Sequence, residues 1–203
     1  MICGIDEAGR GPLAGPVCAA AVVLGGGFPV SILNDSKKLP EGKREEARRI
    51  ICRRALAWGI GWASAAEIDR INILRASLLA MKRAFEAMGR DGAPGEEIGG
   101  LVAGGLTAIT DGLYVPDISI PAAALVRADA KIPEVMAASI LAKTARDRMM
   151  LRYSWLYPEY GYDRHKGYPT RDHRERIARY GPSPIQRTSF RWSPAGKPPS
   201  GPG

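Results

Sequence analysis

The polarity pattern opens with a short apolar run, Ile2 to Ala8, that ends in two adjacent carboxylates, Asp6 and Glu7. Successive side chains of a strand point to opposite faces, so the run predicts a buried strand whose end carries acids. An unbroken apolar run, Val17 to Leu24, predicts a second strand closed by Gly25-Gly26-Gly27. After a polar loop, Asn34 to Pro40, the apolar positions Ala47, Ile50, Ile51 and Ala55 recur at helical spacing, so Glu41 to Leu56 is predicted helical. Ile60 to Ala63 reads as a third strand. Ser64-Ala65-Ala66-Glu67 has the form of a capping box, and the stripe Leu74, Leu78, Met81, Phe85 and Met88 continues a helix from Ile68 to Met88, with Asn72 as a break. Asp91 to Gly100 reads as a glycine-rich connection. Leu106 to Thr110 and Ala123 to Ala128 predict strands that run into Asp111 and Asp129. Pro133 suits a helix N-terminus; Glu134 to Leu151 follows as a helix, and Asp172 to Tyr180 as a shorter one. Strands alternate with helices, but the first three strands come close together, which favours an α/β fold with a mixed sheet flanked by helices. The expected organisation is a catalytic domain over 1–151, a helical and loop region over 152–193 packed on it, and a disordered tail over 194–203.

The charge distribution changes the picture more than the composition does. The net charge of +8 lies wholly in the last third, with thirteen Lys/Arg against five Asp/Glu from Lys143 onward and sixteen against sixteen before it. Six of the seven tyrosines lie in that basic third. Cations interleaved with aromatics suit a polyanion that offers sugars and bases to pack against. No apolar run approaches the ~20 residues of a membrane span, and no basic stretch precedes an apolar one as in a signal peptide. Cys3, Cys18 and Cys52 sit among apolar neighbours and are expected as reduced, packed thiols in a cytoplasmic protein.

Candidate chemistry follows from the acids. Asp6, Glu7, Asp111 and Asp129 all fall at strand ends, where ligands gather in α/β sheets. If these ends adjoin, each like-charged pair repels by about 4 kcal/mol at ~4 Å and an effective dielectric near 20. Such a cluster needs cations, and carboxylate oxygens without thiol or imidazole favour Mg²⁺ or Mn²⁺. The turn Gly9-Arg10-Gly11 fits G-x-G-x-x-A through Ala14, but Pro12 and the preceding acids speak against a dinucleotide. Exposed N–H and C=O groups lying against a sugar or phosphate are the better use of its glycines. Ser36, Lys37 and Lys38 in a loop, and Ser139, Lys143 and Arg146 on one helix face, are placed to hold phosphates. His165 and His173 read as surface or hydrogen-bonding residues. A binding protein without turnover and a two-metal phosphatase or nuclease blind to the 2′-hydroxyl are the alternatives.

These motifs, taken in order, resemble the type 2 ribonucleases H (ribonuclease HII). The resemblance rests on GIDEAGRGPLAGPV at 4–17, NDSKKL at 34–39, EIDRINILRASLLAM at 67–81, TDG at 110–112, ADAK at 128–131, AASILAKTARDRMM at 137–150, YPEYGYDRHKGYPT at 157–170 and GPSPIQRTSF at 181–190. It implies a ribonuclease H-like fold and an endonuclease acting on the RNA strand of RNA/DNA hybrids and at single ribonucleotides in duplex DNA, leaving 3′-hydroxyl and 5′-phosphate ends. It implies two divalent cations held by Asp6, Glu7, Asp111 and Asp129, and 2′-hydroxyl and junction recognition by Gly9, Arg10, Gly11 and Tyr168. Phosphate contacts at Ser36, Lys37, Lys38, Ser139 and Lys143 are implied, as is a monomer with no membrane partner. The chain departs from the family at Ala128, usually Gly, and at Gln186, often His. The lack of a domain before the first strand points away from the type 3 enzymes.

Overall fold

The computed structural model describes residues 1–33, 39–88 and 98–192. Five strands form one mixed sheet in the order β3-β2-β1-β4-β5. The strands are β1 (Ile2–Ala8), β2 (Val17–Val23), β3 (Ala57–Ala63), β4 (Thr107–Asp111) and β5 (Ala122–Leu125). β1 runs antiparallel to β2, and β2 to β3, while β4 lies parallel to both β1 and β5. The mixed sheet predicted from strand spacing is therefore present.

The helices are α1 (Glu41–Arg54), α2 (Ala65–Glu86), α3 (Ile98–Ala103), α4 (Pro133–Leu156), α5 (Tyr162–His165) and α6 (Arg171–Tyr180). They cover both faces of the sheet. Every residue of β2 is buried, as expected of a strand with helices above and below. Val17, Ala19, Ala21 and Val23 point to the core under α2; Cys18, Ala20 and Val22 point to the core under α1 and α4. The packing is close because the meeting residues are small. A Cβ on Gly61 of β3 would stand 2.1 Å from the Ala80 carbonyl oxygen of α2, and one on Gly4 of β1 would stand 2.1 Å from the carbonyl carbon of Glu134. The second contact seats the first turn of α4 against β1, beside Asp6.

Ser64 caps α2 through the predicted capping box, its side chain accepting the Glu67 N–H while Glu67 reaches back to Ser64. Asn72 (φ 66°, ψ 165°) interrupts the helix where the break was expected. Its Oδ1 accepts the Arg75 N–H at 3.1 Å and so caps the second segment. β3 begins at Ala57 and is longer than expected, because Gly59 and Gly61 hid the alternation. α3 falls partly where a connection was expected; Gly99 and Gly100 are poor helix formers, and the wholly buried Leu101 ties the turn to the core. Cys3 and Cys18 are buried free thiols and Cys52 is a half-buried one. Among the described residues no helix is long and apolar enough to cross a membrane.

Candidate active site

The register of β1 on β4 pairs Ile5 with Thr110, so one step further Asp6 stands level with Asp111 at the same end of the sheet. Asp6, Glu7 and Asp111 line one cavity of about 530 Å³ together with Gly9, Arg10, Gly11, Arg44, Ser139, Lys143 and Tyr168. Asp6 is 5% exposed. Burial first, then the charges of Glu7 and Asp111, push its carboxyl well above the usual carboxylate range, against the pull of the Glu7 N–H and of a hydrogen bond with Ser139. The Glu7 N–H donates to Asp6 Oδ1 at 2.7 Å. Burial also raises Glu7, and Arg10, 3.3 Å away, opposes that rise.

Asp129 sits half-buried on a single 3-10 turn, Ala128–Ala130, after β5. The Ala128 N–H donates to Asp111 Oδ1 at 2.8 Å, which fixes Asp129 one residue beyond the Asp111 carboxylate. It is not among the residues lining the cavity. Among the described residues no group of three or more His, Cys, Asp or Glu side chains is set closely enough to hold a metal ion. The positive φ near this turn falls on Arg127 (58°), not on Ala128, so the methyl of Ala128 carries no backbone strain. Ser36, Lys37 and Lys38 lie outside the described residues.

Gly9 has φ +98°, and a Cβ there would stand 2.0 Å from Arg146 Nε; only glycine fits. A Cβ on Gly11 would stand 3.8 Å from Tyr168 Cε1, so the Tyr168 ring borders the turn. That ring is 39% exposed, with Lys143 Nζ and Arg146 Cζ each 5.9 Å from its centroid. Lys143 is paired with Asp147 at 2.8 Å and keeps a place on the cavity wall.

Two expectations change, and the reading of the histidines as surface or hydrogen-bonding residues resolves to the second. Arg146 does not face phosphate. It is buried, and its guanidinium donates to the carbonyls of Pro16 (3.0 Å), Lys166 (3.1 Å) and Ala14 (3.2 Å). The carbonyls of Gly9 and Arg10 face inward, to Arg187, so these two C=O groups are not offered to a ligand. His165 and His173 are buried and stack at 4.4 Å. His165 Nε2 donates to the Tyr160 carbonyl and its Nδ1 accepts the Gly167 N–H, while His173 Nδ1 donates to the Tyr168 carbonyl at 2.9 Å. The pair thus holds the backbone that carries Tyr168.

Sequence reasoning missed Arg44, which lies on the cavity wall, and Arg187. A signal for Arg187 existed: a turn as rich in Gly and Pro as 9–16 forms little ladder, and its carbonyls need donors from elsewhere.

A mixed five-stranded sheet with acids at the adjoining ends of β1 and β4, beside a Gly-Arg-Gly turn, defines a hydrolase of the ribonuclease H type. A family model described as Ribonuclease HII matches residues 3–193. Ribonuclease HII of Treponema denticola is 57% identical, covering 94% of this chain and 98% of that protein; Ribonuclease HII of Dechloromonas aromatica is 50% identical, covering 94% and 90%. The crystal structure of ribonuclease H2 from Pyrococcus horikoshii OT3 superposes with a TM-score of 0.68 at 25% identity, over 93% of each chain. The chain belongs to the ribonuclease HII family.

Proposed function

We propose that this protein is an endoribonuclease that hydrolyses the RNA strand of RNA/DNA hybrids, as its family does, and also cuts at single ribonucleotides embedded in duplex DNA. The products would carry 3′-hydroxyl and 5′-phosphate ends, which suits a role in ribonucleotide excision repair. The observation that carries this reading is the shared cavity, in which three carboxylates face a Gly-Arg-Gly turn, a partly exposed tyrosine and a lysine.

The donor set fits divalent cations. The cavity wall offers carboxylate oxygens and no thiol or imidazole, the choice of Mg²⁺ or Mn²⁺. Burial first, then the charges of Glu7 and Asp111, raise the Asp6 carboxyl, and a bound cation would favour its ionised form. Asp6, Glu7, Asp111 and Asp129 would hold the ions. Such ions would supply a lower pKa for a bound water and stabilisation of the negative charge developing on the 3′-oxygen. The chain's own residues do the rest. The N–H groups of the 9–11 turn reach the ribose, and the 2′-hydroxyl is what separates RNA from DNA at a site. Tyr168 stacks against the sugar or base at the RNA–DNA junction. Lys143, Ser139 and Arg44 hold backbone phosphates, with Ser36, Lys37 and Lys38 as further contacts. The 152–193 region supplies Tyr168 and the basic surface beyond it, closing over the substrate.

One gel tests the reading. Three duplexes, one with a single ribonucleotide, one all-DNA and one hybrid, are incubated with Mg²⁺, Mn²⁺ or EDTA. Cleavage 5′ to the ribonucleotide and within the hybrid's RNA strand, only with metal, is expected. Cutting of the all-DNA duplex, or none of any duplex with either metal, would sink it.

A further inference from the structure

Arg187 is a cation with no exposure to solvent, and its hydrogen bonds go to one short stretch of backbone. Nη2 donates to the Gly9 carbonyl at 2.7 Å, Nη1 to those of Arg10 at 2.9 Å and Pro12 at 2.8 Å, and Nε to that of Gly15 at 2.8 Å. Four carbonyl dipoles converging on one point repel one another, and a planar fork with five donors is the side chain that can hold them. Burying such a charge costs several kcal/mol unless its donors are satisfied. Here backbone carbonyls accept four of its five N–H groups.

The geometry has a consequence on the other side of the turn. A trans peptide is planar, with its N–H opposed to its C=O. With the Gly9 and Arg10 carbonyls turned onto Arg187, the N–H groups of Arg10 and Gly11 point the opposite way. Gly9, Arg10 and Gly11 all line the cavity, which puts these donors at its wall. Arg187 is itself held from behind. Asp69 of α2 accepts the N–H and hydroxyl of Thr188 at 2.9 and 2.8 Å, and those of Ser189 at 2.9 and 2.6 Å.

We infer that Arg187 is a positioning residue for ribose selection: it fixes which way the 9–11 peptide groups face, and so whether they can donate to a 2′-hydroxyl. This rests on the ribonuclease reading above. It assigns to a residue 178 positions from Gly9 in sequence a part in telling ribose from deoxyribose.

The test uses the full chain with Arg187→Lys, which keeps the charge and loses the fork. Turnover on a duplex with one ribonucleotide, affinity for an all-DNA duplex, and amide exchange of peptides spanning 9–13 are measured well below the melting temperature. Turnover should fall on the order of 100-fold, the loss typical of a ~1 Å misplacement. All-DNA affinity should stay within about threefold, since phosphate contacts are spared. Amide exchange at 9–11 should quicken. A merely structural role would lower turnover and affinity together. Folded Arg187→Lys with turnover within about threefold of wild type, or with equal loss of both, overturns the inference. If Arg187→Lys does not fold, Asp69→Asn loosens the clasp behind it; turnover about tenfold down with affinity kept supports the inference, and unchanged turnover overturns it. If the wild type itself cuts nothing, the ribonuclease reading fails, and unchanged exchange at 9–11 in the variant would then overturn the positioning separately.

Discussion

Replacing Asp6 by Asn should make the protein more stable while destroying its activity. The Asp6 carboxyl lies above its ordinary value of 3.8 because burial and the charges of Glu7 and Asp111 disfavour the ionised form. Each unit of such a rise costs about 1.36 kcal/mol of stability, and the cost at pH 7 is capped near 4 kcal/mol, since beyond neutrality the group takes up a proton instead. Asn keeps the shape and an acceptor for the Glu7 N–H, and weakening the bond with Ser139 costs about 1 kcal/mol. The net gain in EDTA at pH 7 is therefore at most about 3 kcal/mol, at about 2 to 4 °C in Tm for each kcal/mol at this chain length. The sign fixes the pH dependence. Between 3.8 and the raised value the native state binds more protons than the unfolded chain, so wild-type stability falls as pH rises through that window. Near pH 4 the gap between variant and wild type should close. Saturating Mg²⁺ should lift the wild type alone, by about 2.7 kcal/mol at a hundred times Kd. Calorimetry of both proteins in EDTA at pH 4 and 7, then in Mg²⁺, reads all of this, beside a hybrid cleavage and binding assay. Asp6→Asn melting at or below wild type in EDTA at pH 7, or cleaving hybrid, would refute the reasoning.

Gly9→Ala should destabilise by about 3 kcal/mol or more in urea titration, from a positive φ worth about 1 to 3 kcal/mol and a methyl driven into Arg146; a loss under about 1 kcal/mol would contradict the packing described. Burial, and then His165, pull His173 down to about 4, against about 6.5 unfolded. As pH falls from 6.5 to 4 the unfolded chain takes the proton first, so up to about 2 kcal/mol should be lost after screening. His173→Phe should flatten that slope in urea midpoints, and an unchanged slope would clear His173. Tyr168→Ala should cut single-ribonucleotide incision more than tenfold and all-DNA binding less than threefold; equal losses would remove it from recognition.

The polarity pattern alone was enough to read the mixed sheet, the capping box at Ser64 and the break at Asn72, and it put acids at strand ends without saying which ends adjoin; the structure brings Asp6, Glu7 and Asp111 to one cavity and leaves Asp129 off its wall. Each depends on local chemistry: alternation, a capping spacing, a charge placed at the end of an apolar run. Arg146 and Arg187 were not legible in the same way. Helical spacing assigns Arg146 to a polar face, and nothing beside Arg187 marks it as buried. All but one of the carbonyls they bond lie 130 to 178 positions away, and the Lys166 carbonyl lies 20 away, beyond any window of a dozen residues. The cavity wall at Arg44 was hidden for the same reason, since its helix meets the site only after the sheet has formed. α3 escaped notice because two glycines obscured a turn held by tertiary contact.

The clasp between the Gly9 turn and Arg187 also orders events in time. At about 5 to 20 residues per second of synthesis, the first-made turn waits some tens of seconds for the guanidinium that completes it. In the nascent chain the Gly9 turn is therefore made long before the side chain that gathers its carbonyls, and its peptide groups can take their final orientation only once Arg187 has been added.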